Sequence, residues 1–427
     1  MGQETYPRHM ISLVEGALGF FRGIYILGPR QVGKTTLVHN LLGKGKYITL
    51  GRADILDEIE TDPLIHLEEL RVEAGAEPVI IDEFQRSKEL VLPLKRVIDS
   101  DKSRGQFILA GSFNVLTTRG SPDSLVGRVV PLQLWPLTIA EIKQKPPNHL
   151  LDWMLQKSPD LKQIDHLEAL TRKEYINLIL EGGFPEPRML PLQERQNHYR
   201  KFIDKIIDSD VSDVVPIRKK NLFRQLLEQV AIRTAKEINR VELANSIGLR
   251  WETVDSYLEV MKKLMLVIEV DAWTSSDAKR EIKQPKFHFL DTGLNCALQS
   301  FNENSFKLGS PSVKQLNGLL ESFVFNELCR MLPYQSKDYC LYHWRSADRR
   351  EIDIIAEGND QLVGIKVKAA SSIRLVDFKH LKWFAKKGPG KSQQFTGIVF
   401  YLGDMKLSFG DNCFALPVST LWAEIGV

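Results

Sequence analysis

The chain has 427 residues, of which 43% are apolar and 26% charged, and carries a net charge of +3. Length predicts two or three domains, and the composition is that of a globular protein rather than a disordered or fibrous one. Four cysteines without a C-x-x-C pair argue against a disulfide framework or zinc knuckle, and no run of eighteen apolar residues predicts a membrane span.

Residues 1–20 read as a lead-in helix. Gly23-Ile-Tyr-Ile-Leu27 reads as a short buried strand. Gly28-Pro-Arg-Gln-Val-Gly-Lys-Thr-Thr36 follows, in the pattern G-x-x-x-x-G-K-T. Leu37, Val38, Leu41 and Leu42 then recur at helical spacing. Strand, loop and helix in that order form the context of a phosphate-binding loop. The glycines let backbone N–H groups converge on a phosphate, and the helix N-terminus adds partial positive charge. Gly28, Pro29, Arg30, Gln31, Val32, Gly33, Lys34, Thr35 and Thr36 are therefore the candidate nucleotide-binding residues. Lys34 is suited to the β- and γ-phosphates, and the Thr35 hydroxyl to Mg²⁺.

Lys46–Leu50 is expected to be a second strand and residues 54–74 a helix. Pro78-Val-Ile-Ile-Asp-Glu83 is an apolar strand ending in two carboxylates. Asp82 is the candidate metal residue and Glu83 the candidate to orient a water. The strand Gln106–Asn114 ends in small and polar residues, so Ser112 or Asn114 is the candidate γ-phosphate sensor. Arg128, ahead of the strand Val129–Leu134, is the candidate arginine for the same phosphate, in its own chain or a neighbouring copy.

Residues 136–175 carry four prolines amid helical stretches, and Gly182–Pro187 is a turn-rich insert. Residues 191–214 return to helix, with Asp208, Asp210 and Asp213 on a solvated face. Residues 221–270 read as helices around a glycine turn, leading into a strand. Arg250, Trp251, Lys262 and Lys263 are the residues there that suit phosphates. Lys286–Leu294 is a strand entering a helix, Asn317–Leu328 an amphipathic helix carrying Glu321. Strands follow at Tyr339–Arg345, Glu351–Glu357 and Gln361–Lys368, then a basic helical stretch over 374–388 and a strand at Thr396–Leu402.

GPRQVGKTT, VIIDEFQR, the Gly111-Ser112 strand end, SLVGR, EGGFPEP, FLDTGL, LLESFVFNEL and EIDIIAE together resemble one family. These are bacterial and archaeal AAA-type ATPases that join a P-loop module, a winged helix and a C-terminal DUF4143-type domain similar to the restriction-endonuclease fold. The resemblance implies an α/β fold with a P-loop domain over 1–150, a helical bridge over 151–220, a winged helix over 221–285 and an endonuclease-like domain over 286–427. It implies Mg²⁺-dependent binding and hydrolysis of ATP, driving change in the C-terminal modules. The alternatives are an ATP switch acting through protein partners and an ATP-controlled nuclease.

The nuclease pattern needs a helix carboxylate, a strand Asp and a Glu-x-Lys on the next strand. Glu321, Asp353 and Lys368 match it, but Lys366 stands where the pattern has an acid. A lysine there opposes a divalent cation. Glu357 shares a strand face with Asp353 about 13 Å along, and is a poor substitute. A degenerate fold used for binding is expected, with Lys366 and Lys368 suited to a phosphate backbone. The expected partners are DNA, through the winged helix and C-terminal domain, or a protein. A second copy enters if Arg128 acts in trans. No membrane is expected. The N-terminal segment has no secretory pattern, so the expected location is the cytoplasm.

Overall fold

The computed structural model describes residues 6–41, 43–113, 125, 127–211, 220–275, 283–307, 309–358 and 361–426. It divides into two compact units, residues 1–137 with 263–265, and residues 138–262 with 266–427. The helices of the expected bridge have no separate core. Leu151, Trp153, Met154, Tyr175 and Ile179 are buried in the same apolar cluster as Ile354, Val363 and Ile398 of the C-terminal sheet.

The first unit is a five-stranded parallel sheet. Its strands are β1 (Gly23–Leu27), β2 (Lys46–Thr49), β3 (Val79–Asp82), β4 (Phe107–Gly111) and β5 (Val129–Gln133), in the order β2-β3-β4-β1-β5. Every residue of β1, β3 and β4 is buried, as expected of a parallel sheet covered on both faces. On one face Tyr25, Leu27, Ile81 and Leu109 meet Leu67, Leu90, Leu94 and Ile98 of the flanking helices. The expected helix over 54–74 is two helices, Ala53–Thr61 and Pro63–Ala74. Pro63 has no N–H to continue the first, and the Asp62 side chain caps the second by accepting from Ile65 N at 3.3 Å.

Because all five strands run one way, their C-terminal ends share one edge. Leu27 is level with Gly111 and Gln133, and Thr49 with Asp82. β4 lies between β1 and β3, so its end falls between the glycine-rich loop and the acid pair.

In the second unit, β6 (Ile164–Asp165) waits for its antiparallel partner near the end of the chain. Next come the helix Lys220–Ile232, β7 (Lys236–Glu237), the helices Arg240–Ile247 and Trp251–Lys263, β8 (Val267–Val270) and β9 (Lys286–Phe289). These three strands form an antiparallel sheet ordered β7-β9-β8. The larger sheet comprises β10 (Cys340–Arg345), β11 (Glu351–Gly358), β12 (Gln361–Lys368), β13 (Gln394–Tyr401), β14 (Leu407–Ser408) and β15 (Cys413–Pro417), ordered β10-β11-β12-β13-β15-β14. β16 (Glu424–Ile425) pairs back onto β6. The helix Gln315–Met331 packs on β12 and buries Leu316, Leu319, Leu320, Val324 and Leu328.

The EGGFPEP and FLDTGL segments clasp each other. The Asp291 carboxylate accepts from Leu294 N at 2.8 Å, capping its own helix, and from Gly183 N at 2.6 Å. Gly182 has φ +68°, and a Cβ there would lie 2.3 Å from Asp291 Oδ1. Glycine is required at 182 by both conformation and space.

Candidate functional site: a phosphate cradle and a buried charge cluster

Residues 28–33 leave β1 as a tight loop. Gln31 (φ 61°) and Gly33 (φ 100°) are both left-handed. Val32 is fully buried and anchors the loop. A Cβ at Gly28 would lie 2.5 Å from Leu134 O, so only glycine lets the loop leave the strand here. Arg8, itself buried, braces the loop by donating to Val32 O at 2.9 Å and Trp135 O at 2.6 Å. Thr36 opens a π-helical turn, Thr36–Leu41.

The Lys34 ammonium is buried and donates to Gly28 O at 2.9 Å, Pro29 O at 3.0 Å and Ser112 Oγ at 3.2 Å. Thr35 Oγ1 donates to Asp82 Oδ2 at 2.6 Å. The Tyr47 hydroxyl donates to the same oxygen at 3.2 Å, and Glu83 N–H to Asp82 Oδ1 at 2.9 Å. Partial burial and the adjacent Asp82 charge push Tyr47 up to about 12, so it stays a hydrogen-bond donor. A hydroxyl beside a carboxylate is a hard-oxygen pair of the kind Mg²⁺ takes, the rest of its shell coming from phosphates and water. Among the described residues no cluster of three or more His, Cys, Asp or Glu side chains is placed to hold a metal. A loop of this type does not require one.

Lys34, Thr35, Asp82, Glu83 and Ser112 are thus gathered at one sheet edge. Asn114 lies outside the described residues. Arg128 is not part of the cradle of its own chain. Its carbonyl accepts from Gly23 N at 3.1 Å, level with the start of β1, whereas the cradle follows the end of β1 about 13 Å away. Its guanidinium forms a two-pronged pair with Asp99, at 2.6 and 2.9 Å. Parallel register decides this: a residue just before β5 lands on the edge opposite to residues just after β1. Tyr47, Gln85 and Arg8 stand out only in three dimensions, since each is an unremarkable residue of its segment.

The second unit holds a buried charge cluster at the expected endonuclease-like position. β11–β12 register pairs Ile354 with Ile365, which sets Asp353 beside Lys366. Lys366 Nζ donates to Asp353 Oδ1, and Val367 N–H donates to its Oδ2 at 2.7 Å. From β9 comes Lys286, which has no place in the sequence pattern. Its ammonium reaches Glu321 at 2.7 Å and Glu351 at 3.2 Å. Burial opposes the Lys286 charge, but Glu321, Asp353 and Glu351 outweigh it and raise its pKa. Burial, with Asp353 nearby, raises Glu321 despite the ammonium beside it. Lys368 is ion-paired with Asp377, and Glu357 accepts from the Trp273 indole at 2.9 Å. Lys366 and Lys368 therefore each face an acid, the Lys368 side chain remaining 38% exposed. The acids in turn already hold two internal cations.

Parts of the chain are similar to known families and proteins. The family described as an AAA domain matches residues 21–143, and a domain of unknown function, DUF4143, matches residues 316–421. A further domain of unknown function, DUF8612, matches residues 172–305. The chain is 24% identical over 352 residues to the uncharacterised proteins Rv2008c of Mycobacterium tuberculosis and Mb2031c of Mycobacterium bovis, spanning 82% of this chain and 70% of each relative. Among solved structures it is similar to the Walker-type ATPase PABY2304 of Pyrococcus abyssi. The match is 16% identical, covers 70% of this chain and 97% of that one, and has a TM-score of 0.46. No described helix is long and apolar enough to cross a membrane. Residues 21–143 are thus similar to an AAA domain, and residues 316–421 to a DUF4143 domain.

Proposed function

We propose that the first unit binds and hydrolyses ATP in a Mg²⁺-dependent manner, and that nucleotide state acts on the modules of the second unit. The observation that carries this is the placement of Thr35 Oγ1 2.6 Å from Asp82 Oδ2 beside the buried Lys34 ammonium. Residues 28–33 would cradle the β-phosphate with their N–H groups, and Thr35 with Asp82 would hold Mg²⁺. Bound Mg²⁺ supplies charge neutralisation across the β- and γ-phosphates. Lys34, which now donates to loop carbonyls and Ser112, exchanges those acceptors for phosphate oxygens. Glu83 orients the attacking water, and Ser112 reads the γ-phosphate from the end of β4.

In the second unit we read residues 220–289 as a winged helix. The element order helix, strand, helix, helix, strand, strand and the sheet order β7-β9-β8 support that reading. The wing falls partly on residues outside the described ones. Trp251 is exposed at the start of the third helix, where a partner, DNA or protein, would meet it. A nuclease role for the C-terminal domain is disfavoured, because Lys286 and Lys366 sit among the acids that would hold its metal.

Calorimetry with Mg–ATP and steady-state turnover test the reading. Lys34→Ala is expected to abolish nucleotide binding. Glu83→Gln is expected to keep binding and lose turnover, and undiminished turnover there would remove Glu83 from its role. Turnover measured with no polymer, single-stranded DNA, duplex DNA or RNA separates a nucleic-acid-coupled enzyme from a switch that binds ATP and answers to protein.

A further inference from the structure

We propose that Gln85 is a positioning residue for Glu83, tying the water-orienting carboxylate to the strand end that touches the phosphate-binding lysine. The proposal rests on the reading of Glu83 given above. Gln85 Nε2 donates to Glu83 Oε2 at 2.5 Å, and Gln85 Oε1 accepts from Ser112 N–H at 3.2 Å. A backbone N–H can only donate, so the amide turns its oxygen to Ser112 and its NH2 to Glu83, and both ends are committed.

Ser112 completes the link on the other side, since its Oγ accepts from Lys34 Nζ at 3.2 Å. Ser112, by its hydroxyl on one side and its backbone N–H on the other, and the Gln85 side chain therefore stand between the ammonium and the carboxylate. The backbone is shaped for this contact at two points. Glu83 is left-handed, with φ 56° and ψ 34°, which starts the turn Phe84–Arg86 and lets Gln85 reach back. Gly111 leaves the room, because a Cβ there would lie 2.7 Å from Gln85 Oε1 and 2.4 Å from the Tyr25 hydroxyl.

The consequence for Glu83 is chemical. One carboxylate oxygen is held by an amide donor, which fixes the carboxylate's direction and leaves the other oxygen oriented for water. A base held by a third group is the general arrangement of an activated site. The link also gives Glu83 a dependence on what occupies Lys34, because the Ser112 end of the relay is shared with it.

Two variants test this against structural damage. Gln85→Leu removes both hydrogen bonds at similar size. Its kcat is expected to fall about 10- to 100-fold, the usual effect of removing an outer partner, with the Kd for Mg–ATP within about threefold of wild type. Gln85→Glu keeps the acceptor for Ser112 but sets a second carboxylate against Glu83. Its kcat should fall by a similar factor, again with the Kd for Mg–ATP within about threefold of wild type. Turnover equal to wild type in either variant overturns the proposal. So does nucleotide binding that is lost in step with turnover. A wild-type chain that binds Mg–ATP without turning it over overturns the Glu83 reading and this one together.

Discussion

Replacing Lys286 with methionine separates a charge-neutralising lysine from a merely buried one. The side chain is 2% exposed and its ammonium lies 2.7 Å from Glu321, itself 13% exposed. At an effective dielectric of about 20 that contact is worth about 6 kcal/mol gross. The Glu351 contact at 3.2 Å involves a carboxylate 36% exposed, so water screens it to about 1 kcal/mol or less. The variant recovers the several kcal/mol spent on desolvating the ammonium. A net loss of about 3 kcal/mol follows, at the low end for breaking a buried pair, because Lys366 still faces Asp353. The loss should depend on pH. Without the ammonium, Glu321, already raised by burial, rises further, so the folded state holds a proton that the unfolded state releases. Stability of the variant then increases as pH falls, and the deficit should be larger at pH 8 than at pH 5.5. Urea unfolding followed by tryptophan fluorescence measures it, since six of the seven tryptophans lie in the second unit. A deficit below about 1 kcal/mol at pH 8, or one equal at both pH values, would refute the argument.

Two further outcomes follow from the second unit. Glu327 is fully buried, accepts from Ile139 N at 3.1 Å and from Arg330 at 3.3 Å, and is nonetheless pushed up to about 7, because burial outweighs the cation. Its folded pKa exceeds the ordinary 4.5, so its favourable contribution is present below that value and is lost as pH rises to 7. Relative to Glu327→Gln, wild-type stability should fall by up to about 3 kcal/mol across that window, and parallel urea midpoints would contradict it. Gly182→Ala meets both a left-handed backbone and the Asp291 carboxylate 2.3 Å from the new Cβ. It should lower stability by about 2–4 kcal/mol, and a change in thermal midpoint within error would show that the clasp yields.

Much of the first unit was legible in the chain. Gly28 to Thr36 is a contiguous loop between an apolar run and a helical one, and the strand ending at Asp82 declares itself by composition. These are local signals, carried by neighbours in sequence. The helix over 54–74 misled, because Leu56, Leu64, Leu67 and Leu70 keep helical spacing across Pro63, and only the cap at Asp62 shows the break.

The sequence by itself determined where backbone can bend around a phosphate, which strand ends in acids, and that position 366 carries the wrong sign for a metal site. Only the tertiary structure decided which distant residues meet. Parallel register put Arg128 on the far edge, level with Gly23 and paired with Asp99. The small antiparallel sheet carried Lys286 to Glu321, 35 positions on, and the turn after Glu83 brought Gln85 to Ser112, 27 positions on. Such contacts depend on crossover topology and strand register. These follow from burying whole faces at once, and no local run of residues encodes them.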